Sequence, residues 1–293
     1  MATCAAGVKP KQMSGIRRAV RIDRWTIISV IIWLTAVLFI LPFFWMVVSS
    51  FKREIDVFRM PVHWIPEPFT WQNYVVVLTG AHPLSRYVVN SLIVAVLRVL
   101  GDLFTASLAA YGFARLRFRG RDALFLLYVS TLIIPVQMLL VPRFILFRQL
   151  HLYDTLWALI LPSVFTPFGT FLLRQFFLGI PPELSDAARI DGAGEFAIYW
   201  RVILPLAKPA LAALAILAFV WSWNDYETPL VMLTTESNFT IPLGLTSYID
   251  ENGGFSASLI MAGSVLAIIP IFVVFLALQR QFIEVISRSG LKG

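Results

Sequence analysis

The chain has 293 residues, of which 58% are hydrophobic and only 14% charged, and its formal net charge is +7. A soluble domain is typically about 45–50% apolar and roughly 25% charged, so this composition speaks against a water-soluble globular protein. The single cysteine, Cys4, excludes an intrachain disulfide and any cysteine-rich metal site.

Residues 1–24 read as a basic tail carrying Lys9, Lys11, Arg17, Arg18, Arg21 and Arg24. From Trp25 to Val48 no residue is charged. Crossing a hydrocarbon core about 30 Å thick takes about 20 apolar residues at ~1.5 Å each, so residues 25–48 are predicted to be a membrane-spanning helix. The run is longer than the apolar region of a secretory signal, and no small-residue cleavage site follows it, so it is expected to be retained. Five further blocks are predicted to span: 86–113, 122–142, 154–178, 205–233 and 256–279. Pro135, Pro142, Pro162 and Pro167 interrupt the third and fourth spans. Irregular backbone survives in lipid only where protein or a water-filled cavity covers it. Such interruptions fit a transport path, although any one proline is also tolerated in an ordinary membrane helix. The fold class is therefore all-α: a polytopic membrane protein with about six transmembrane helices, the membrane domain being 25–280 and a C-terminal tail following at 281–293.

Lys and Arg in short loops set orientation. They cluster in the N-terminal tail, at Arg115, Arg117, Arg119 and Arg121, at Arg189, Arg201 and Lys208, and at Arg280, Arg288 and Lys292. Residues 224–258 hold no Lys or Arg, but include Asp225, Glu227, Glu236, Asp250 and Glu251. The alternation is what a six-helix membrane chain with both termini in the cytoplasm requires. Two outer loops fit less cleanly, because Lys52, Arg53, Arg59, Arg143 and Arg148 fall in them. The basic charge is spread over several loops rather than gathered in one patch, so membrane lipid is an expected partner and nucleic acid is not.

No G-x-x-x-x-G-K-[ST] loop occurs, so the chain is not expected to bind and hydrolyse ATP alone. His63, His82 and His151 lie in predicted outer loops without metal-ligand spacing. No catalytic residue, metal site or cofactor is expected within this polypeptide. Arg98 and Asp102 lie four apart inside the second span, and they read as a self-neutralising ion pair in preference to a gate.

The longest polar segment facing the cytoplasm is 179–205. It predicts a short helix, a glycine break and a second helix. Pro181 and Pro182 suit a helix start, and Glu183 and Asp186 lie near its positive end. Leu184, Ala187, Ala188 and Asp191 recur at three and four residues and share a small, flat face. Gly192 ends the helix or lets its backbone approach something closely. From periodicity, a surface that docks on another protein and a helix resting on the membrane are equally good readings.

Asp186-Ala187-Ala188, then Gly192, then Val202-x-Leu204-Pro205 resembles the cytoplasmic motif of ATP-binding-cassette (ABC) importer permeases at every spacing, with Asp for the usual Glu and Val for the usual Ile. Ser49-Ser50-Phe51-Lys52, Asn73-Tyr74, Asn90-Ser91, Ala109-Ala110-Tyr111, Arg115-Leu116-Arg117-Phe118-Arg119-Gly120, Pro167-Phe168-Gly169, Trp223-Asn224-Asp225 and Pro270 are similar to the maltose-type subfamily. The end of the chain, Ile286 to Gly293, departs from that pattern.

The resemblance implies a type I ABC importer permease fold and transport of a carbohydrate, polyol or glycerophosphate-type solute by alternating access. It also implies a bacterial inner-membrane location and three kinds of partner: a homologous second permease, two ATPase subunits that bind ATP and Mg, and an extracytoplasmic sugar-binding protein. Glu183, Asp186, Ala187, Ala188, Asp191, Gly192, Leu204 and Pro205 would then couple the chain to an ATPase, with Ala187, Ala188 and Gly192 small so that the helix sits close to a groove. Trp223, Asn224 and Asp225, late in the fifth span, are candidates for the substrate path, although tryptophans gather at membrane interfaces whatever is carried. The alternatives are a self-contained secondary transporter or channel, and a membrane scaffold.

Overall fold

A computed structural model describes residues 24–249 and 256–290. The tail before Arg24, with Cys4, lies outside the described residues, as do Asp250, Glu251 and the last three residues. The chain divides into two compact units, Met1–Trp45 and Met46–Gly293.

The described part of the first unit belongs to helix α1, Arg24–Ser50. The Thr35 hydroxyl donates to the Ile31 carbonyl at 2.8 Å. A polar side chain in lipid needs such an internal partner.

The second unit continues with α2 (Glu54–Val57), α3 (Gln72–Thr79), α4 (Leu84–Arg115), α5 (Arg121–Ile133), α6 (Val136–Gln149) and α7 (Trp157–Leu178). It then forms α8 (Pro182–Ile190), α9 (Glu195–Leu206), α10 (Lys208–Trp223), α11 (Glu227–Met232), α12 (Ile241–Gly244) and α13 (Ala257–Gly290). Helices α1, α4, α7 and α13 are each long and apolar enough to cross a membrane; α5 with α6 and α9 with α10 make two more spans if each bent pair counts as one. Four of the six predicted spans are thus present as single long helices, and the third and fifth correspond to the two bent pairs, with altered outlines.

The third span bends by 91° between Ile133 and Val136, around Pro135, and its second limb runs on to Gln149, past the predicted end at 142. Pro135 has no N–H to give the ladder, and its ring disfavours helix in the residue before it. The predicted fifth span, 205–233, is three pieces. A bend of 77° at Ala207 separates α9 from α10. A break at Asn224–Tyr226 then separates α10 from α11, where the Asp225 carboxylate accepts the Thr228 backbone N–H at 3.1 Å. Ahead of Pro205 the backbone opens into a π turn over Tyr199–Ile203. Such a turn accommodates a proline that cannot complete the regular ladder. Helix α13 runs beyond the predicted limit of 279 to Gly290.

Lipid is as apolar as leucine, so helices in a membrane associate by close packing and small residues rather than by hydrophobic expulsion from water. Ala106, Ala110 and Ala114 repeat every fourth residue of α4 and are buried against Leu173, Phe177, Ile203, Ala207 and Ala210. Along the same seam a Cβ on Gly101 would meet the Val164 side chain at 2.8 Å, and one on Gly169 would meet the Ala106 Cβ at 3.1 Å. Thr166 caps the second half of α7, accepting the Gly169 N–H at 3.2 Å, and its hydroxyl donates to the Asp102 carboxylate. The predicted Arg98–Asp102 pair is thus corrected. Asp102 takes a hydroxyl from α7, and Arg98 instead meets Asp225 at 3.0 Å. Helical spacing placed the two on one face, but the folded chain gave each a better partner on another helix.

The end of the bundle where α4 begins is fastened by carboxylates. Glu54 accepts the backbone N–H groups of Ala257 and Ser258, and the Ser258 hydroxyl, all at 2.8 Å. It therefore caps the last span from a distant loop. Burial pushes the Asp154 carboxyl up, but the Thr235 hydroxyl, the Thr234 and Thr235 amides and Asn238 outweigh it and hold it at about 2. Asp154 itself adopts φ +57°, which Asp and Asn tolerate better than most side chains. Glu236 accepts from the Tyr87 hydroxyl and sits 2.6 Å from His82 Nδ1, and these contacts, that of Tyr87 first, hold its carboxyl below the usual range. Glu54→Ala is expected to remove the cap of α13 at a cost of ~1 kcal/mol. The check is a lower unfolding temperature in detergent, with Glu54→Gln falling between the two.

Candidate functional site

Helix α8 begins with Pro182 at its first position and stops at Ile190. Its end is closed by two reverse hydrogen bonds: the Ala193 N–H to the Ala188 carbonyl at 2.9 Å, and the Gly192 N–H to the Arg189 carbonyl at 3.0 Å. This is the Schellman arrangement, which requires a left-handed residue just past the helix. Gly192 supplies it with φ +83°. A Cβ there would meet nothing within 4 Å, so within this chain the backbone angle, not lack of space, demands glycine. Gly192→Ala is expected to loosen the cap by ~1–2 kcal/mol. Hydrogen exchange at the Ala193 amide should then accelerate about five- to thirtyfold, and Gly192→Asn should do less harm.

Ser185 is buried and Ala188 half-buried, the latter against the cluster that contains Ile198 and Tyr199. The outward side carries Glu183, Leu184, Ala187, Ile190 and Asp191, all exposed. The predicted face is corrected in one member: Ala188 turns towards the bundle, so its small size lets α8 lie against its own chain. Ile190 is 87% exposed and Phe196, just past the glycine break, 70%. The sequence reading overlooked both. The signal available was a pair of large apolar residues flanking a polar, glycine-broken helix.

Charged contacts hold α8 in place. Arg189 meets Asp186 at 2.7 Å and Glu195 at 2.8 Å, and Glu195 also accepts the Tyr111 hydroxyl at 2.6 Å. The hydrogen bond to Glu195, followed by the nearby carboxylates, holds the Arg189 guanidinium above its ordinary value. Arg115, at the end of α4, donates to the Phe177 and Ile180 carbonyls at 2.6 Å each. Leu204 packs on the core and Pro205 is exposed on α9; both shape the helix behind α8 rather than its outward face.

The three residues predicted for the substrate path separate. Trp223 is buried, stacks on Phe219 with ring centroids 5.3 Å apart and donates its indole N–H to the Ala267 carbonyl at 2.9 Å. With exposed Asn224 it lines a cleft of about 240 Å³ between α10, α12 and α13, whose walls include Ser264, Leu245 and Ile268. Asp225 turns instead to Arg98 on α4. Among the described residues no group of three His, Cys, Asp or Glu side chains is placed to hold a metal ion.

Long apolar helices, two bent candidate spans and a small-residue seam are those of a polytopic helical membrane protein. The chain belongs to the family described as binding-protein-dependent transport system inner membrane component, whose model matches residues 102–287. It is 34% identical over 260 residues to the arabinooligosaccharides transport system permease protein AraQ of Bacillus subtilis, covering 88% of this chain and 92% of that protein. It is likewise 34% identical over 269 residues to the sn-glycerol-3-phosphate transport system permease protein UgpE of Yersinia pestis, covering 90% of this chain and 95% of that one. Among solved structures, a chain of a bacterial ABC transporter involved in the import of the acidic polysaccharide alginate superimposes with a TM-score of 0.77 at 26% identity, over 87% of this chain and 95% of its own. The fold is that of a type I ABC importer permease.

Proposed function

We propose that this permease carries a carbohydrate or glycerophosphate-type solute inward, as one of two homologous membrane subunits driven by two ATPase subunits and fed by an extracytoplasmic binding protein. The carbohydrate class rests on the relatives, whose names specify arabinooligosaccharides, glycerol 3-phosphate and alginate. Both termini and α8 face the cytoplasm in this reading, supported by the Lys and Arg bias of the loops.

The observation that carries it is α8 itself: a helix closed by a Schellman cap, with the motif spacing and with Ile190 and Phe196 exposed. Exposed large apolar residues on a fixed scaffold mark a protein contact. Leu184, Ala187, Ile190 and Phe196 enter the groove of an ATPase, and Glu183, Asp186 and Asp191 stand at its rim. ATP and Mg are held by those partners. Closure of the ATPase pair moves α8, and the bent spans rock between inward- and outward-open states as rigid bodies.

The test is co-purification of the tagged chain from native membranes, followed by an ATPase assay. An ATPase and a second permease should come down with it, and hydrolysis should rise with a binding protein and its sugar. A chain that purifies alone and transports in liposomes without ATP would replace this reading with a secondary transporter.

A further inference from the structure

An open cleft of about 560 Å³ lies between the turn that follows α4 and the first turn of α8, and the proposed coupling role leaves it unused. Arg115, Arg117, Arg121 and Arg189 line it against two carboxylates, Asp186 and Glu195. Both carboxylates are engaged by Arg189, at 2.7 and 2.8 Å. Arg121 shares the exposed Asp122 at 3.1 Å. Arg117 is exposed and forms no ion pair among the described residues. The cleft therefore holds surplus positive charge.

A further observation points to a ligand. Ser185 is 2% exposed, lines the cleft, and its hydroxyl has no hydrogen-bond partner; the Nε of Arg115, which also lines the cleft, is likewise buried and unpartnered. Leaving such groups unmade costs roughly 1–3 kcal/mol each, so an incoming acceptor would be favoured.

We propose that this cleft is a binding site for a phosphate group. Its donors are the Ser185 hydroxyl and the guanidinium groups of Arg115 and Arg117. Phosphate brings more negative charge and more acceptor oxygens to such a basic cleft than a carboxylate, which offers two oxygens in one plane. The group belongs either to a soluble phosphate compound or to an anionic lipid headgroup. The site stands on this chain's own residues and is independent of which solute is carried.

The experiment uses the full chain with its co-purifying partners. Radiolabelled inorganic phosphate probes the soluble source. Lipid retained from bilayers of phosphatidylcholine with phosphatidylglycerol, compared with phosphatidylcholine alone, probes the headgroup. Arg117→Glu should weaken binding about tenfold or more, equivalent to ~1.4 kcal/mol, and Ser185→Ala should weaken it less. Arg119→Glu, an exposed neighbour that does not line the cleft, should leave it unchanged. Phosphate binding that follows this pattern identifies a soluble ligand, and selective loss of phosphatidylglycerol identifies a lipid. Binding absent in both arms, or weakened equally by Arg119→Glu, overturns the site. So does a pattern in which Arg117→Glu impairs only ATPase co-purification, which would make the cleft a seat for an acidic protein segment.

Discussion

Ala187→Trp is expected to reduce solute uptake to background while membrane abundance stays normal. Ala187 sits on the outward side of α8, exposed, between Leu184 and Ile190. An indole there extends from an exposed position, and it holds α8 off any groove that fits a methyl group. Overpacking a fitted contact costs ~1–3 kcal/mol, or about a five- to 150-fold loss of association, and the helix that remains cannot follow its partner. The neighbouring Ala188→Trp should behave oppositely. Ala188 packs on the cluster around Ile198 and Tyr199, so tryptophan there should lower abundance by disturbing the bundle. Uptake by transport assay, abundance by immunoblot and ATPase co-purification separate the two. Normal uptake in Ala187→Trp would sink the docking surface. Gly192 is the poorer place for this test, because any bulky residue there also meets the penalty of φ +83°.

The spans were legible because each is a run of about 20 residues with little charge, which no other environment tolerates. The motif was legible because its spacing survives Asp186 for Glu and Val202 for Ile. The inward side of α8 was not legible. Its most buried residue is a serine, Ser185, and in a helix of small residues hydrophobic periodicity carries little information. Ile190 and Phe196 escaped for the reverse reason: an apolar residue beside a glycine break reads as core until the fold shows it exposed. Pro135 announced an interruption, but only the fold shows a turn of 91°. Arg98 pointed to Asp102 by local spacing, whereas its partner lies 127 residues along the chain, a distance over which sequence pattern is silent.

That long-range pair is where the second large effect is expected. Arg98 lies about 21 Å along α4 from Leu84, at ~1.5 Å per residue, so it falls in the middle of a span. Its side chain and that of Asp225 are each only 16% exposed. Removing one partner strands a charge in a low-dielectric setting, at ~3–5 kcal/mol. Arg98→Met alone should therefore cut membrane abundance severely, by about tenfold or more. Asp225 has a second duty, accepting the Thr228 N–H at the start of α11, and asparagine can keep that bond while losing the charge. The double variant Arg98→Met with Asp225→Asn should then recover most of the abundance, because neither charge remains to be paired. Its uptake separates two roles. If uptake returns with abundance, the pair serves to hold the α10–α11 break against α4. If abundance returns and uptake stays at background, the two charges act on the solute or on the conformational switch, and Asp225 takes its place on the transport path without Trp223.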